Sequence, residues 1–144
     1  MCIRDSPESH SFSFAYLVYA SSWLKVHKPA AFYAGLLAAQ PMGFYSPQSL
    51  TADARRHGQV VLRPCVARSE VLALVERLEK PFATPDEARA DMRALAKVDR
   101  HLAVRMGLAA VRGLGDDAAQ AIVDARAEGR FTSLSDMALS LIHI

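Results

Sequence analysis

The sequence predicts a mainly α-helical protein with one or two short strands, and three observations support this prediction. Apolar residues recur at spacings of three and four along much of the chain, which is the period of an amphipathic helix. Proline or a small polar residue precedes several of these stretches, as is typical of a helix N-terminus. A short β-branched segment, Val60-Val61-Leu62, and a weakly alternating segment over 101–106 favour strands. Since 51% of the 144 residues are hydrophobic, the chain can form a packed core.

The first helix is predicted over 11–27, and a second opens at Pro29 and ends near Gln40. Apolar side chains surround nearly the whole first half of the first helix. We therefore expect that half to be buried. Tyr16, Trp23 and, in the second helix, Phe32 are expected in the core. Basic residues occupy its last turn, where the helix dipole favours positive charge.

A third helix is predicted from the pair Ser46-Pro47, in which serine caps the helix and proline occupies its first turn. The pair His57-Gly58 ends this helix, because glycine suits a C-terminal cap.

Three further helices are predicted in the second half of the chain. Ser69 is expected to cap a fourth helix that extends to Leu78. The segment over 86–97 has the pattern of a polar, exposed helix. Thr132 or Ser133 is expected to cap a last short helix.

The stretch over 107–126 combines a short apolar segment, a pair of glycines and a further helical pattern. Gly113 and Gly115 flank Leu114, which suits a tight hairpin because glycine reaches positive φ without a Cβ penalty. We expect Leu114 to face a core. The helix that begins at Asp116 is predicted to pack through one face of small and apolar residues, namely Ala118, Ala121, Ile122 and Ala125.

This pattern is typical of a helix-hairpin-helix, in which the N–H groups at the start of the second helix bind a phosphate oxygen. Such contacts hold the nucleic-acid backbone without reading its sequence. Arg112, Gly113 and Gly115 are the residues expected at this site. Asp116 and Asp117 would stabilise the helix but repel a phosphate. An ordinary helical hairpin with a glycine turn explains the same residues, so both interpretations stay open.

Composition indicates a cytoplasmic protein without a membrane partner. The net charge of +2, from 17 basic and 15 acidic residues, does not by itself indicate a nucleic-acid partner. Cys2 and Cys65 have no cysteine or histidine at a metal-ligand spacing, so we expect free thiols. The apolar run over 12–24 is shorter than the roughly 20 residues of a membrane-spanning helix, and it contains polar side chains.

The sequence predicts no catalytic residue and no metal site. Polymerase or nuclease chemistry needs carboxylates that converge on a pair of metal ions. The acidic residues here lie mostly on polar helical faces, and no paired acids occupy an apolar strand. Ser9 and His10 precede the first helix, where they either cap it or meet a triphosphate or a DNA backbone. The histidines expected at the surface are His27, His57 and His101.

Three stretches, in the same order, resemble the bacterial C-family DNA polymerases, which include the polymerase III alpha subunit. The segment over 7–32, which begins Pro-Glu-Ser-His and ends His-Lys-Pro-Ala-Ala-Phe, looks like the fingers region of that family. The run Gln-Pro-Met-Gly-Phe-Tyr-Ser-Pro over 40–47, which continues to residue 58, is similar to the error-prone, damage-inducible branch. The stretch over 106–126 resembles the helix-hairpin-helix region that follows the fingers.

The resemblance covers most of 7–138 and implies an internal fragment of an error-prone polymerase. The family's catalytic carboxylates belong to a palm domain upstream, and no residue here corresponds to them. The resemblance divides the chain into the C-terminal part of the fingers (7–66), a connecting helical segment (67–100), a truncated helix-hairpin-helix region (101–138) and two ends expected to be non-native (1–6 and 139–144).

The parent polymerase implied by this resemblance extends a primer with deoxynucleoside triphosphates, uses magnesium and copies damaged templates. Its expected partners are primer-template DNA, the nucleotides, a sliding clamp and damage-response proteins. In this fragment Ser9 and His10 would lie nearest the nucleotide or template, and Arg112, Gly113 and Gly115 would contact the DNA backbone. Magnesium is not expected to bind the fragment itself.

Two other functions fit the same residues. The first is a stand-alone helix-hairpin-helix module that binds DNA without enzyme activity. The second is a helical protein-interaction domain with no nucleic-acid role, for which we expect no salt-dependent binding to DNA.

Overall fold

The computed structural model describes residues 7–129 and 131–141, and the predictions made for 1–6 and 142–144 lie outside this part of the chain. Within the described residues, six helices and three short strands follow one another: α1 (Pro7–His27), α2 (Pro29–Ala38), α3 (Pro47–Arg56), β1 (Val61–Leu62), β2 (Leu74–Arg77), α4 (Ala90–Leu95), β3 (Leu102–Arg105), α5 (Asp116–Glu128) and α6 (Leu134–Leu141). The mainly α class is confirmed, and the three strands form one sheet.

Capping residues set the helix ends much as the sequence predicts. Ser46 caps α3, since its Oγ accepts the N–H of Ser49 at 3.2 Å, and Gly58 follows the helix with a φ of +83°. Ser133 caps α6 by accepting the N–H of Asp136 at 3.0 Å. The predicted helix over 86–97 is shorter in the structure, where α4 covers only 90–95.

The central strand of the sheet is β3, which pairs in parallel with β1 and antiparallel with β2. Val104 on β3 lies opposite Val61 on one side and Val75 on the other, and it is fully buried. The strands come from the three segments into which the resemblance divides the chain, so the sheet joins these segments.

The fourth helix predicted over 69–78 is wrong, because residues 74–77 form β2. Glu76 on this strand is held by Arg105 of β3, with Nε and Oε2 2.6 Å apart, and by Arg68, with Nη1 and Oε1 2.9 Å apart. The hydrogen bond from Arg105 lowers the pKa of Glu76. Burial of the Glu76 carboxyl opposes this decrease, and the hydrogen bond from Arg68 lowers the pKa further. Cross-strand pairing and these ion pairs favour the strand over the helix.

The main core lies where α2 and α3 pack on the sheet. Tyr33 is the largest side chain buried completely within it. The other buried members of this core are Ala30, Ala34, Leu37, Leu50, Ala54, Val61 and Val104.

The prediction that the first half of α1 is buried is wrong. This helix packs mainly against α2, and its aromatic side chains stay largely uncovered: Tyr16 is 71% exposed and Trp23 45% exposed. Although α1 has 21 residues, neither it nor another helix among those described combines the length and apolar character needed to cross a membrane.

A polar cluster connects the last turn of α1 to α3. Asp53 Oδ2 accepts hydrogen bonds from Lys25 Nζ at 2.8 Å and from the Tyr33 hydroxyl at 2.7 Å. His57 Nδ1 lies 2.8 Å from the backbone carbonyl oxygen of Asp53 and 3.2 Å from the Tyr33 hydroxyl. The side chain of His57 is only 14% exposed, so the prediction of a surface histidine is wrong here.

Opposing effects act on the Asp53 carboxyl in this cluster. Burial raises its pKa, but the hydrogen bonds from Lys25 and Tyr33, with the charges of Lys25 and His57, outweigh burial and hold the pKa below its usual value. Burial first, and then the hydrogen bond to Asp53, raise the pKa of the Tyr33 hydroxyl. The cluster therefore holds an ionised carboxylate between α1, α2 and α3.

Candidate nucleic-acid interface

The hairpin starts at Gly107, where the chain leaves β3 and runs against the segment that precedes β2. The N–H of Leu108 donates to the carbonyl of Glu70 at 2.9 Å, and that of Ala109 donates to Val71 at 3.0 Å. A Cβ atom on Gly107 would overlap the main chain of that segment. Only glycine permits so close an approach of the two backbones.

A 3-10 turn over Leu108–Ala110 stands in the place of the motif's first helix and leads into the glycine turn. Gly113 adopts a φ of +84°, which an L side chain rarely tolerates. The N–H of Leu114 donates to the carbonyl of Val111 at 3.1 Å, and the Leu114 side chain packs against Leu108, Ala119 and Ile122. The predicted inward orientation of Leu114 is confirmed.

Gly115 is the N-cap of α5, and it leaves the first turn of this helix open. No side chain of the residues that the structure describes caps this turn, and the N–H of Ala119 donates to the carbonyl of Gly115 at 3.0 Å. A Cβ atom placed on Gly113 or on Gly115 would meet nothing within 4 Å. Uncapped N–H groups beside open space are the arrangement that binds an anion at a helix N-terminus.

The packing face of α5 differs in part from the prediction. Ala119 and Ile122 are buried, as is Ala121, whereas Ala118 is exposed. The hairpin core contacts positions 119, 122 and 126, which are one face of the helix. The prediction chose the wrong face in part because alanines occupy both sides of this helix, so the sequence does not distinguish its buried side from its exposed side.

Arg126, which sequence reasoning missed, anchors α5 to the rest of the fold. Its Nη1 donates to the backbone carbonyls of Val66 at 3.1 Å and Ser69 at 2.8 Å, and its Nη2 lies 2.7 Å from Glu70 Oε1. The sequence indicates only that Arg126 lies on the same helix face as Ile122, four residues earlier. Its hydrogen-bond partners are distant in the sequence and could not be predicted.

Ser69 supports the other side of the hairpin, and its predicted role as a helix cap is wrong. Its buried hydroxyl donates to the carbonyl of Met106 at 2.8 Å and accepts the N–H of Cys65 at 2.9 Å. The loop over 65–70 therefore fixes both the start of the hairpin and, through Arg126, its second helix. Cys65 itself is a half-buried free thiol.

Three exposed charges surround the open turn. Arg112 makes no hydrogen bond or ion pair with any residue that the structure describes, so its guanidinium is available to a ligand. Asp116 and Asp117, in the first turn of α5, are exposed as well. The turn thus presents one positive and two negative side chains around its N–H groups, which favours a modest affinity for phosphate.

Ser9 and His10 lie in another part of the fold. Because α1 begins at Pro7, neither residue caps the helix. The His10 side chain is exposed, and its ring centroid is 4.4 Å from that of Phe14. The structure does not bring these two residues to the hairpin, and their proximity to a nucleotide or template stays a prediction.

No metal centre forms among the residues that the structure describes, since no three or more histidine, cysteine, aspartate or glutamate side chains converge there. Several of the acidic residues are instead paired with basic side chains, as Asp53 is with Lys25 and Glu70 with Arg126.

The 3-10 turn, the tight glycine turn and the helix with an open N-terminus follow one another as the parts of a helix-hairpin-helix do. A family model described as "Helix-hairpin-helix motif" matches residues 58–142. The match covers more than half of the chain, and the chain belongs to this family.

Proteins named error-prone DNA polymerase are similar to nearly the whole chain. The identity is 52% over 132 residues with the protein of Mycobacterium tuberculosis, 49% over 136 with that of Mycolicibacterium paratuberculosis, and 48% over 132 with that of Burkholderia mallei. These matches cover 91%, 94% and 92% of this chain, but only 10%, 10% and 11% of the relatives. The chain therefore spans about a tenth of the length of the curated relatives it matches.

The resemblance to error-prone polymerases is confirmed by these relatives. Together with the hairpin, they identify a polymerase-related DNA-binding region. Because these matches span more than nine-tenths of the chain, they include the central segment over 67–100. No solved structure shows significant similarity to the chain.

Proposed function

We propose that this chain is part of an error-prone, DNA-directed DNA polymerase that copies damaged templates, and that it supplies contacts to DNA rather than catalytic carboxylates. The observation that carries the proposal is the identity of 48–52% with error-prone DNA polymerases over more than nine-tenths of the chain. The segment over 7–66 is assigned to the C-terminal part of the fingers, with Ser9 and His10 nearest the nucleotide or template.

The hairpin is the proposed contact to the DNA backbone. The N–H groups at the start of α5 bind a phosphate oxygen, and the open space at Gly113 and Gly115 admits the backbone. Arg112, exposed beside the turn, adds a charge-assisted hydrogen bond. These contacts do not depend on base sequence, as a polymerase requires.

Magnesium, which the resemblance implies for the parent polymerase, has no matching set of ligands among the residues described here. The proposal places magnesium in other parts of the polymerase. The proposal likewise assigns primer extension with deoxynucleoside triphosphates, and contacts to a sliding clamp and damage-response proteins, to the parent.

A binding titration tests the hairpin contact. The purified chain is titrated with fluorescein-labelled duplex DNA at several salt concentrations, and anisotropy gives the affinity. We expect log K to fall with log salt by about 0.9 for each phosphate bound. Replacing Gly113 and Gly115 with valine should abolish this binding, whereas Gly129→Val, in open space at the far end of α5, should preserve it. Equal DNA binding by the glycine-to-valine variant of the turn and by Gly129→Val would show that the hairpin is not the DNA-binding site.

A chimeric polymerase tests the assignment to a polymerase. The matched 132 residues of the Mycobacterium tuberculosis protein are replaced by the corresponding residues of this chain, and primer extension is measured. We expect the chimera to extend primers and the chain alone to extend none. Extension by the purified chain alone, or a folded chimera that binds DNA but does not extend, would contradict the proposal.

A further inference from the structure

Two aromatic side chains stand almost free in solvent on the loop between α2 and α3. Phe44 is 96% exposed and Tyr45 is 60% exposed, and neither belongs to a core cluster of the described residues. Two adjacent aromatic side chains exposed in this way form an apolar patch of the kind that marks binding sites.

The loop that carries these aromatics is held by the side chain of Gln40. Its Nε2 donates to the carbonyls of Leu36 at 3.4 Å and Tyr45 at 3.3 Å, and its Oε1 accepts the N–H of Met42 at 3.2 Å. Ser46, just after the aromatics, is fixed as the cap of α3. Phe44 and Tyr45 are therefore presented from a braced loop between two helices.

A groove of about 730 Å³ leads from this loop to the hairpin. Pro41 and Pro47, which bracket the aromatics, are among its lining residues, as is Asp116 at the start of α5, whereas Phe44 and Tyr45 lie on the adjoining loop and do not line it. The volume is within the range of about 300–1,000 Å³ that is usual for ligand sites. The groove is thus continuous with the proposed phosphate site.

The walls of the groove suit a nucleotide chain. Its floor is apolar, with Leu72 and Met106, and the wall formed by α3 presents Gln48, Thr51 and Arg55 at helical spacing. Arg55 is exposed and its side chain makes no hydrogen bond or ion pair with the residues described, so its guanidinium is available to a phosphate.

We propose that this groove holds single-stranded DNA, with unpaired bases stacked on Phe44 and Tyr45 and a backbone phosphate bound by Arg55. The inference rests on the proposed function, because the hairpin holds the same DNA at the other end of the groove. Aromatic side chains beside a basic residue can bind unpaired bases without sequence preference. Duplex DNA offers its bases no such contact, so the groove discriminates unpaired from paired DNA.

The test compares four forms of the purified chain: wild type, the double variant Phe44→Ala/Tyr45→Ala, the variant Arg55→Gln and the control Tyr16→Ala. Tyr16 is a similarly exposed aromatic that lies on α1 and not on the loop between α2 and α3. Affinities for a labelled oligothymidylate and for a labelled duplex are measured by anisotropy. Quenching of a 2-aminopurine placed within a single strand reports stacking, and circular dichroism verifies that each variant folds.

We expect the double variant to lose about tenfold or more in affinity for the single strand, and to lose the 2-aminopurine quenching. Its affinity for duplex should stay within about twofold of wild type, as should all affinities of Tyr16→Ala. Arg55→Gln should lower the salt slope for the single strand by about 0.7.

The outcomes separate this inference from the proposed function. If the chain binds duplex but the double variant and Tyr16→Ala bind the single strand equally well, the groove proposal is overturned and the hairpin contact stands. If the double variant loses affinity for single-stranded and duplex DNA to the same extent, the proposed stacking of unpaired bases on Phe44 and Tyr45 is contradicted. If the wild-type chain binds neither DNA at low salt, both proposals fail.

Discussion

Gly113 is the residue at which the hairpin depends most directly on a single backbone angle. At its φ of +84°, an L side chain costs roughly 1–2 kcal/mol, even though the space around a Cβ atom is open. We therefore expect Gly113→Ala to lower the free energy of unfolding by about that amount, measured by urea denaturation. Gly129→Ala is the matched control, because Gly129 is extended and also in open space. Equal losses in both variants would contradict a conformational role for Gly113.

Asp53 makes stability depend on pH in acid. Because its pKa is lower in the folded than in the unfolded chain, the unfolded chain binds more protons as the pH falls, and acid favours unfolding. The stability that Asp53 contributes is fully present above its unfolded pKa of about 3.9 and is lost as the pH falls through its folded pKa. Glu76, whose pKa is also lowered, acts in the same direction.

The variant Asp53→Asn isolates this contribution. Near neutral pH it should cost about 1–3 kcal/mol, because Lys25 and Tyr33 lose a charged hydrogen-bond partner. The difference from wild type should shrink as the pH falls below about 4, when measured by urea denaturation across a pH series. Glu87→Gln, at an exposed acid, serves as the control. A difference that stays constant down to acid pH would show that Asp53 does not titrate as described.

At the residue scale, the sequence predicted the roles that depend on local backbone geometry. Ser46 as a cap and Gly113 as a turn residue follow from what their immediate neighbours require. Arg126 and Asp53 could not be predicted in this way, since their partners lie far away in the sequence. Nothing in a single chain marks which cation meets which carboxylate across the fold.

At the scale of elements, the segment over 69–78 shows where pattern alone fails. Its apolar residues fit a helical stripe, yet residues 74–77 pair with β3 as a strand. The pairing and the ion pair between Glu76 and Arg105 depend on a strand nearly thirty residues later. A short apolar run fits either a helix or a strand, so its pairing with a distant strand decides the structure here, despite the helical spacing of its residues.

The position of α5 depends on Arg126, while the DNA contact proposed at its start depends on Arg112. Arg126→Met keeps the bulk of the side chain but removes its hydrogen bonds to the loop over 65–70, so we expect a loss of about 2–3 kcal/mol in unfolding free energy. Arg112→Met, at an exposed side chain, should leave stability within about 0.5 kcal/mol. Urea denaturation measures both variants.

DNA binding should depend on Arg112 and not on Arg126, the reverse of what we expect for stability. At low temperature, where both variants are folded, Arg112→Met should lower the affinity for duplex DNA and reduce the salt slope by about 0.9. Arg126→Met should keep the slope, because Arg126 is engaged with the protein. If Arg112→Met destabilises the fold, or leaves the salt slope unchanged, the separation of roles is refuted.

At the scale of the whole molecule, α1 shows what the sequence specifies and what it leaves open. The helix itself is local and was predicted, but its burial depends on which surface covers it. Among the described elements, α2 packs most against it, and the Lys25–Asp53 pair fixes its last turn. The aromatic face that suggested a core helix is therefore exposed, and α1 carries more of the exposed large hydrophobic side chains than any other described element.

This exposed face should make the chain self-associate. Phe12, Tyr16 and Tyr19 lie on one side of α1 and are all exposed, and contiguous apolar surface of this kind drives association in water. Replacing all three with serine should shift sedimentation toward the monomer without loss of the hairpin's affinity for duplex DNA. Leu134→Ser is the control, since Leu134 is equally exposed but on α6. If sedimentation of the triple variant matches that of the control across protein concentrations, the face of α1 is not the surface that drives association.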